Sequence, residues 1–130
     1  MTNGELYEMA VKAAENSYSK YSRFRVGAAL LAENGKVYTG CNIENASYSL
    51  TNCAERTAVF KAVSEGVTGF KAIAVAGSSN DDFTKPCTPC GACLQVLSEF
   101  CGSDMVIILA NGWFRLSDLM PLRFTEDSMK

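Results

Sequence analysis

Hydrophobic residues recur along this chain at two different spacings, and these spacings predict its helices and strands. Residues 5–17 place Leu, Met and Ala side chains three or four positions apart, which is typical of a helix with one apolar face. Residues 26–32 and 36–41 are short, largely apolar runs joined by Asn34-Gly35. That dipeptide favours positive φ at both positions, so we predict two strands in a hairpin with a type I′ turn.

The second half of the chain alternates helical and strand patterns. Small and branched apolar residues at helical spacing predict a helix over residues 53–64, and Gly66 marks its end. Thr88-Pro89 predicts the start of a further helix, with Thr88 as its cap and Pro89 at its first position. Residues 105–109 are continuously apolar, as in a strand buried on both faces. The other predicted elements are a loop over 42–52, a strand over 71–76, a loop over 77–85, a weak fifth strand over 114–116 and a short helix over 117–120.

The order of these elements predicts an α/β fold. We expect a three-layer α/β/α sandwich around a mixed sheet of about five strands. Alternating helices and strands in the second half imply parallel strands there, and the hairpin adds an antiparallel edge. A length of 130 residues with no internal linker indicates a single domain over residues 1–130.

The charge of the chain disfavours a polynucleotide partner. Twelve Lys and Arg oppose 14 Asp and Glu, which gives a net charge of −2, whereas proteins that grip phosphate backbones usually carry a basic excess. The longest nearly apolar stretch, residues 105–110, is too short to span a bilayer, so no membrane partner is expected. The first residues lack the basic and apolar pattern of a signal peptide, so we expect a cytoplasmic protein with reduced thiols.

The chain contains no histidine, which narrows its chemistry sharply. Serine and cysteine hydrolases that rely on a histidine base are excluded, as are metal sites built on imidazole. Proton transfer must use a carboxylate, Lys, Tyr or a thiol. The chain has six cysteines, and in a reducing compartment clustered cysteines indicate metal or redox chemistry.

Two cysteine-containing segments stand at predicted helix starts, and together they predict a metal site. Cys90 and Cys93 are three residues apart and share a helix face, while Cys53 can supply a third sulfur from another helix. A helix N-terminus lowers the pKa of a thiol and so favours the metal-binding thiolate. Three thiolates around Zn²⁺ leave the fourth position to water, as in catalytic zinc sites. Glu55 can move that water's proton, and Arg56 can offset the sulfur charge through hydrogen bonds.

Cys87 leaves the choice of ligands open at this stage, because it lies three residues before Cys90. If Cys87 closed the coordination shell, the chain would be a non-catalytic structural zinc module. An iron–sulfur electron carrier is a further alternative, although the Cys-Pro ending of ferredoxin motifs is absent.

Five segments of the chain form a more specific pattern. They are Tyr21–Ala29, Asn42–Asn45, Cys53–Arg56, Pro89–Gln95 and Leu119–Pro121. Together they resemble the small homo-tetrameric cytidine deaminases, which belong to the zinc-dependent cytidine and deoxycytidylate deaminases. The similarity covers nearly the whole chain, and the metal motifs are its most specific part. It implies hydrolytic deamination of cytidine and 2′-deoxycytidine in pyrimidine salvage, one Zn²⁺ per chain, and a homotetramer with shared active sites.

The resemblance also assigns roles to individual residues. It implies that Cys53, Cys90 and Cys93 bind zinc, that zinc-bound hydroxide attacks C4 of cytosine, and that Glu55 shuttles the proton. It also implies that Asn42 and Glu44 bind the ribose and that Phe24 and Ala54 contact the base. It implies that Tyr48 and Phe124 reach a neighbouring subunit's pocket.

Two residues depart from the family pattern, Leu94 and the additional Cys87. Pro89 and Gly91 flank Cys90 as they do in the family motif, which favours Cys90 and Cys93 as the ligand pair. Where the family usually has an arginine after the last metal cysteine, this chain has Leu94. If that arginine shares in neutralising the sulfurs, Arg56 carries more of this task here. Pocket detail decides between related substrates, so the deaminase of another aminopyrimidine nucleoside stays an alternative.

Overall fold

A five-stranded mixed sheet with helices on both faces forms the fold, as seen in a computed structural model that describes residues 1–130. The strands are β1 (Arg25–Ala32), β2 (Val37–Cys41), β3 (Phe70–Ser78), β4 (Val106–Leu109) and β5 (Gly112–Arg115). The helices are α1 (Asn3–Ala13), α2 (Ala54–Ser64), α3 (Gly91–Phe100) and α4 (Leu116–Leu119), with short 3₁₀ turns at 14–16, 48–50 and 126–129. No helix is both long enough and apolar enough to cross a membrane.

The strands lie in the order β2-β1-β3-β4-β5. Only β3 and β4 run parallel, joined by a crossover through α3, while β1 is antiparallel to both of its neighbours and β5 is antiparallel to β4. The predicted mixed sheet with a hairpin at its edge is therefore confirmed. Its parallel part is a single pair of strands, and the weak fifth strand lies slightly earlier than predicted.

The two faces of the sheet carry different cores, which confirms the three-layer sandwich. Along β3, Ile73 and Val75 point into the larger core beneath α2 and α3. The alternate positions of β3 are Ala72, Ala74 and Ala76, which pack beneath α1 together with Leu6. Successive residues of a strand face opposite sides of the sheet, so these alanines share one face. Their small side chains let α1 lie close to the sheet.

Two of the predicted helices begin or end at other residues in the structure. Helix α1 is capped by Thr2, whose hydroxyl accepts from the Glu5 N–H at 3.1 Å, and it gives way to a 3₁₀ turn before residue 17. Helix α3 begins at Gly91 with Cys90 as its cap, not at Thr88-Pro89. Cys90 has extended backbone angles (φ −72°, ψ 167°), which places its thiol outside the first turn.

The turn between β1 and β2 also differs from the prediction. Gly35 has a positive φ of 90°, but Asn34 does not, so the turn is not type I′. Instead the Gly35 N–H donates to the Ala32 carbonyl at 3.0 Å, and the Asn34 side chain accepts from the Lys36 N–H at 2.9 Å. A side chain that bonds to the backbone two residues on stabilises such a turn without positive φ at its own position.

Helix α2 lies unusually close to the edge strand β2 at Gly40. A Cβ atom built on Gly40 would lie 2.6 Å from both the Ala54 carbonyl oxygen and the Ala58 nitrogen. Neither backbone atom can move without shifting the helix. Gly40 thus sets the distance between β2 and the first turn of α2, where three of the candidate site residues lie, namely Ala54, Glu55 and Arg56.

We therefore expect Gly40→Ala to destabilise the protein. Forcing a methyl group into this contact should cost about 1–3 kcal/mol of the free energy of unfolding, because overpacking displaces backbone. Chemical denaturation measures the change. Gly102→Ala is the matched control, since a Cβ there meets nothing within 4 Å. Equal stability of the two variants would contradict the close approach.

Candidate active site

Three thiols from two helix N-termini meet at one point. Cys53 is the N-cap of α2, Cys90 is the N-cap of α3, and Cys93 lies in the first turn of α3. Their sulfurs all lie within 4.8 Å of one another, with Cys53 Sγ 4.0 Å from Cys90 Sγ and Cys90 Sγ 3.5 Å from Cys93 Sγ. The structure thus brings together the three cysteines that the sequence nominated.

The spacing of these sulfurs fits a zinc ion. Thiolate sulfurs bound tetrahedrally at about 2.3 Å from zinc lie roughly 3.8 Å apart, close to the separations observed here. The donor set is also what zinc prefers, since thiolates are strong ligands for this borderline-soft ion. The protein holds one such group, which corresponds to one zinc per chain. Three protein ligands leave a fourth coordination position for water or substrate.

Arg56 supplies a positive charge to the sulfur cluster. Its Nη2 donates to Cys53 Sγ at 3.2 Å, which is possible because the two residues lie one helical turn apart at the start of α2. The Nε atom of Arg56 is buried and forms no hydrogen bond with another protein atom. Such cation–thiolate hydrogen bonds offset the charge that several thiolates concentrate in a small volume.

The pKa values of Cys53 and Cys93 are shifted in opposite directions. Hydrogen bonds from the Cys93 thiol and from Arg56 lower the pKa of Cys53 to about 5. The same contact with the Cys53 thiolate, together with burial, raises the pKa of Cys93. The lowered pKa favours the thiolate form of Cys53, which is the form that binds a metal ion.

Glu55 is a buried carboxyl group beside the cluster, with only 4% of its surface exposed. Because Cys53 is an extended N-cap and not part of the helix, two residues of separation do not send the two side chains to opposite sides. Burial raises the pKa of the Glu55 carboxyl, and the negative charge of Cys53 raises it further. A carboxyl with a raised pKa can both release and accept a proton near neutral pH.

A cavity of about 180 Å³ opens beside these groups. Cys53, Cys90 and Glu55 line it, as does Ala54, which the family resemblance placed at the base. Sequence reasoning missed three of its residues because nothing in their local pattern distinguishes them from loop or strand positions. These are Val26, Thr51 and Thr88.

Asn42 lines the same cavity, and its side chain also holds the backbone of the segment before β1. Its Nδ2 donates to the Phe24 carbonyl at 2.8 Å, and its Oδ1 accepts from the Val26 N–H at 2.9 Å. The Ser17 hydroxyl donates to the same oxygen. Asn42 therefore connects the cavity wall to the residues that lead into β1.

Glu44 is buried on the same segment as Asn42 but does not line the cavity. Its carboxylate accepts from the Tyr21 and Ser22 N–H groups at 3.0 and 3.1 Å, and also from the Ser22 hydroxyl. The hydrogen bonds from Ser22, together with the one from Tyr21, lower the pKa of Glu44. In this chain Glu44 orders the residues immediately before Phe24.

The aromatic residues expected near the substrate lie outside this cavity. Phe24 is 38% exposed and lines an adjoining cavity of about 230 Å³. Tyr48 is 65% exposed and packs edge-on against Tyr21, with ring centroids 6.0 Å apart. Phe124 is 58% exposed, near the end of the chain. Within one chain, neither Tyr48 nor Phe124 contributes to the wall of the cavity that holds the sulfurs.

Two residues that the sequence left open have clear positions. Cys87 lines the cavity but lies outside the sulfur cluster, and burial raises its pKa to about 11. This geometry does not support a zinc site closed by Cys87. Leu94 is 7% exposed and packs in the larger core, so it contributes no charge to the sulfurs. Arg56 is the cation that bonds to them.

Comparisons of sequence and of structure both find similarity to cytidine deaminases. Residues 1–109 match the family model of the cytidine and deoxycytidylate deaminase zinc-binding region. A cytidine deaminase from Sporosarcina psychrophila is 60% identical over 100 residues, which cover 77% of this chain and 71% of that protein. A cytidine deaminase from Halalkalibacterium halodurans is 50% identical over 95% of both chains. The crystal structure of cytidine deaminase from Burkholderia pseudomallei superposes with a TM-score of 0.86 at 45% identity, covering 95% of this chain and all of the other.

Removing one sulfur should remove the metal. We expect Cys93→Ala to lose most bound zinc, since two thiolates cannot hold the ion against dialysis, whereas Cys87→Ser should keep about one zinc per chain. Metal analysis of both purified variants measures this difference. Loss of zinc from Cys87→Ser with retention by Cys93→Ala would assign the ligands the other way round.

Proposed function

This chain belongs to the cytidine and deoxycytidylate deaminase family, and we propose that it hydrolyses cytidine and 2′-deoxycytidine to uridine and 2′-deoxyuridine with release of ammonia. The observation that carries this proposal is the buried Glu55 carboxyl, which lines one cavity together with two members of the three-thiol cluster, Cys53 and Cys90. A structural zinc site needs no buried acid. An electron carrier likewise needs no cavity lined by a proton donor.

The reaction exchanges an amino group for an oxygen atom, so it requires repeated proton transfers. Cys53, Cys90 and Cys93 would hold Zn²⁺, which when bound acts as a Lewis acid and lowers the pKa of water. Glu55 accepts a proton from the attacking water molecule at its carboxylate oxygen. It then passes this proton to a ring nitrogen of the substrate, takes up the remaining proton of the hydroxyl group that has added to the ring carbon, and delivers that proton to the departing amine. Burial suits Glu55 to these tasks, because a raised pKa makes both directions of transfer accessible.

Several further residues are proposed to bind the nucleoside. Asn42, which lines the cavity, and Glu44, two residues later, are proposed at the ribose, where an amide and a carboxylate can hold sugar hydroxyls. Ala54 lines the cavity and is proposed to meet the base through its backbone. Phe24, at the edge of the adjoining cavity, is proposed to pack against the pyrimidine.

We further propose a homotetramer in which neighbouring subunits complete each active site. Tyr48 and Phe124 are large aromatic residues that one chain leaves exposed and away from the cavity. Exposed aromatic side chains are enriched at protein interfaces, where burial stabilises association. A neighbouring subunit's cavity is the place that we propose for them.

The cellular setting is also a proposal. Free thiolates bind zinc only while they stay reduced, which supports a cytoplasmic location. Conversion of cytidine to uridine there would serve pyrimidine salvage.

The proposed activity is tested by ammonia release from a substrate panel. We expect the zinc-loaded protein to release ammonia from cytidine and 2′-deoxycytidine but not from adenosine. Glu55→Gln should lower the rate roughly 10²- to 10⁴-fold, because it removes the proton carrier but none of the ligands. Zinc content should stay at about one per chain in this variant.

Ammonia release and metal analysis on the same samples separate the outcomes. A zinc-loaded protein that left cytidine and 2′-deoxycytidine unchanged would exclude this function. Release from a different aminopyrimidine nucleoside alone would keep the reaction and change the substrate. Full activity of Glu55→Gln would remove Glu55 from the mechanism.

Shared active sites predict rescue between two defective variants. Light scattering should give a native mass about four times the 14.0 kDa chain. Tyr48→Ala subunits retain Glu55, and Glu55→Gln subunits retain Tyr48, so mixing and reassembling the two should create some complete sites. We expect the mixture to exceed the averaged activity of its components. Activity equal to that average, or a monomeric mass, would contradict shared sites.

A further inference from the structure

Cys87 is a thiol that the sulfur cluster leaves out although it lines the same cavity. It is half-buried, and it packs against the larger core that also carries Val26. Val26 pairs with Gly77 across the antiparallel strands β1 and β3. Cys87 therefore lies where the cavity wall meets the carboxyl end of β3.

Gly77 creates a gap at this point, and two side chains occupy it. A Cβ atom built on Gly77 would lie 2.7 Å from Cys87 Sγ and 2.9 Å from Phe24 Cε2. It would also lie 3.0 Å from Cys87 Cβ. Since both side chains come within 3.0 Å of one point, Cys87 and the edge of the Phe24 ring lie next to each other over the bare backbone of Gly77.

Two hydrogen bonds hold the backbone of Phe24, and neither involves its ring. The Phe24 carbonyl accepts from Asn42, and the Phe24 N–H donates to the Ser22 hydroxyl at 3.0 Å. These bonds fix the Cα position and leave the side-chain torsions free. Steric contact selects among the rotamers of a half-exposed ring. Over Gly77, the groups that can provide this contact to the Phe24 ring are the glycine backbone and the Cys87 side chain.

We propose that Cys87 is a positioning residue, which together with the bare Gly77 holds the Phe24 ring in the orientation that receives the pyrimidine. This inference builds on the proposed function, because it assumes that Phe24 packs against the base. It gives Cys87 a role in substrate affinity and none in binding the metal. Loss of the contact frees the ring before substrate arrives, and ordering it again weakens binding.

The test begins with Cys87→Ala, which removes the sulfur and keeps Cβ. We expect KM for cytidine to rise roughly five-fold with kcat within about two-fold of the wild type, because a binding contact has been lost and the chemistry has not. Zinc per chain should be unchanged. Cys87→Val refills the space without a thiol and should restore KM to within about two-fold of the wild type.

Cys101→Ala is the matched control for losing a half-buried thiol. Cys101 also packs against the larger core, but it does not line the cavity. A merely structural loss would affect the two alanine variants alike in stability and leave KM unchanged in both. We expect KM to rise only in Cys87→Ala.

A double-mutant cycle shows whether Cys87 acts through Phe24. In a Phe24→Ala background, Cys87→Ala should raise KM no further, since no ring remains to be held. Gly77→Ala approaches the same contact from the strand and should also raise KM, which provides a second variant if Cys87→Ala does not fold. Both effects can be checked without turnover by measuring the dissociation constant of the product uridine.

The outcomes separate this inference from the proposed function. If wild-type protein deaminates cytidine but neither Cys87→Ala nor Gly77→Ala changes KM, the inference is wrong. It is also wrong if the effects of Phe24→Ala and Cys87→Ala multiply, or if Cys87→Ala loses zinc. If wild-type protein does not act on cytidine or 2′-deoxycytidine, the proposed function itself fails.

Discussion

Three sulfurs within 4.8 Å of one another impose a problem of charge on this fold, and much of the site's local structure addresses it. Thiolates at this separation repel one another strongly inside a protein, where the effective dielectric constant is low. Two helix N-termini direct their exposed N–H groups and the positive ends of their dipoles toward the cluster. Arg56 adds a full positive charge through a hydrogen bond to Cys53. A divalent cation then neutralises most of the remaining charge.

The same arrangement explains why a carboxyl group can be buried next to the thiols. Glu55 would be costly to ionise at 4% exposure, and Cys53 increases that cost. Because burial raises its pKa, Glu55 takes up a proton more readily than an exposed carboxylate does, which suits it to carry a proton back and forth. The burial that would destabilise Glu55 in an ordinary core is therefore the property that the proposed reaction uses.

Close backbone approaches give the site its dimensions. Gly40 lets the start of α2 lie against β2, and Gly77 leaves room for both Cys87 and Phe24 over β3. Both glycines belong to the sheet, so the rigid part of the fold determines the spacing between the sulfur ligands and the cavity wall. Asn42 completes this frame, because its amide holds the Phe24 and Val26 backbone beside the cavity.

Local patterns in the sequence determined the kinds of elements and the identity of the reactive groups. Helical periodicity and apolar runs predicted a mixed sheet, because they depend on residues close together in the chain. The cysteine spacing indicated a metal site, and the family resemblance implied Cys53, Cys90 and Cys93 as its ligands. Tertiary structure decided the rest. It placed Cys90, not Thr88, at the cap of α3, paired β1 with β3 antiparallel, and separated Cys87 from its neighbouring cysteines. Those outcomes depend on which distant backbone atoms approach each other, and a single sequence carries no direct record of such distances.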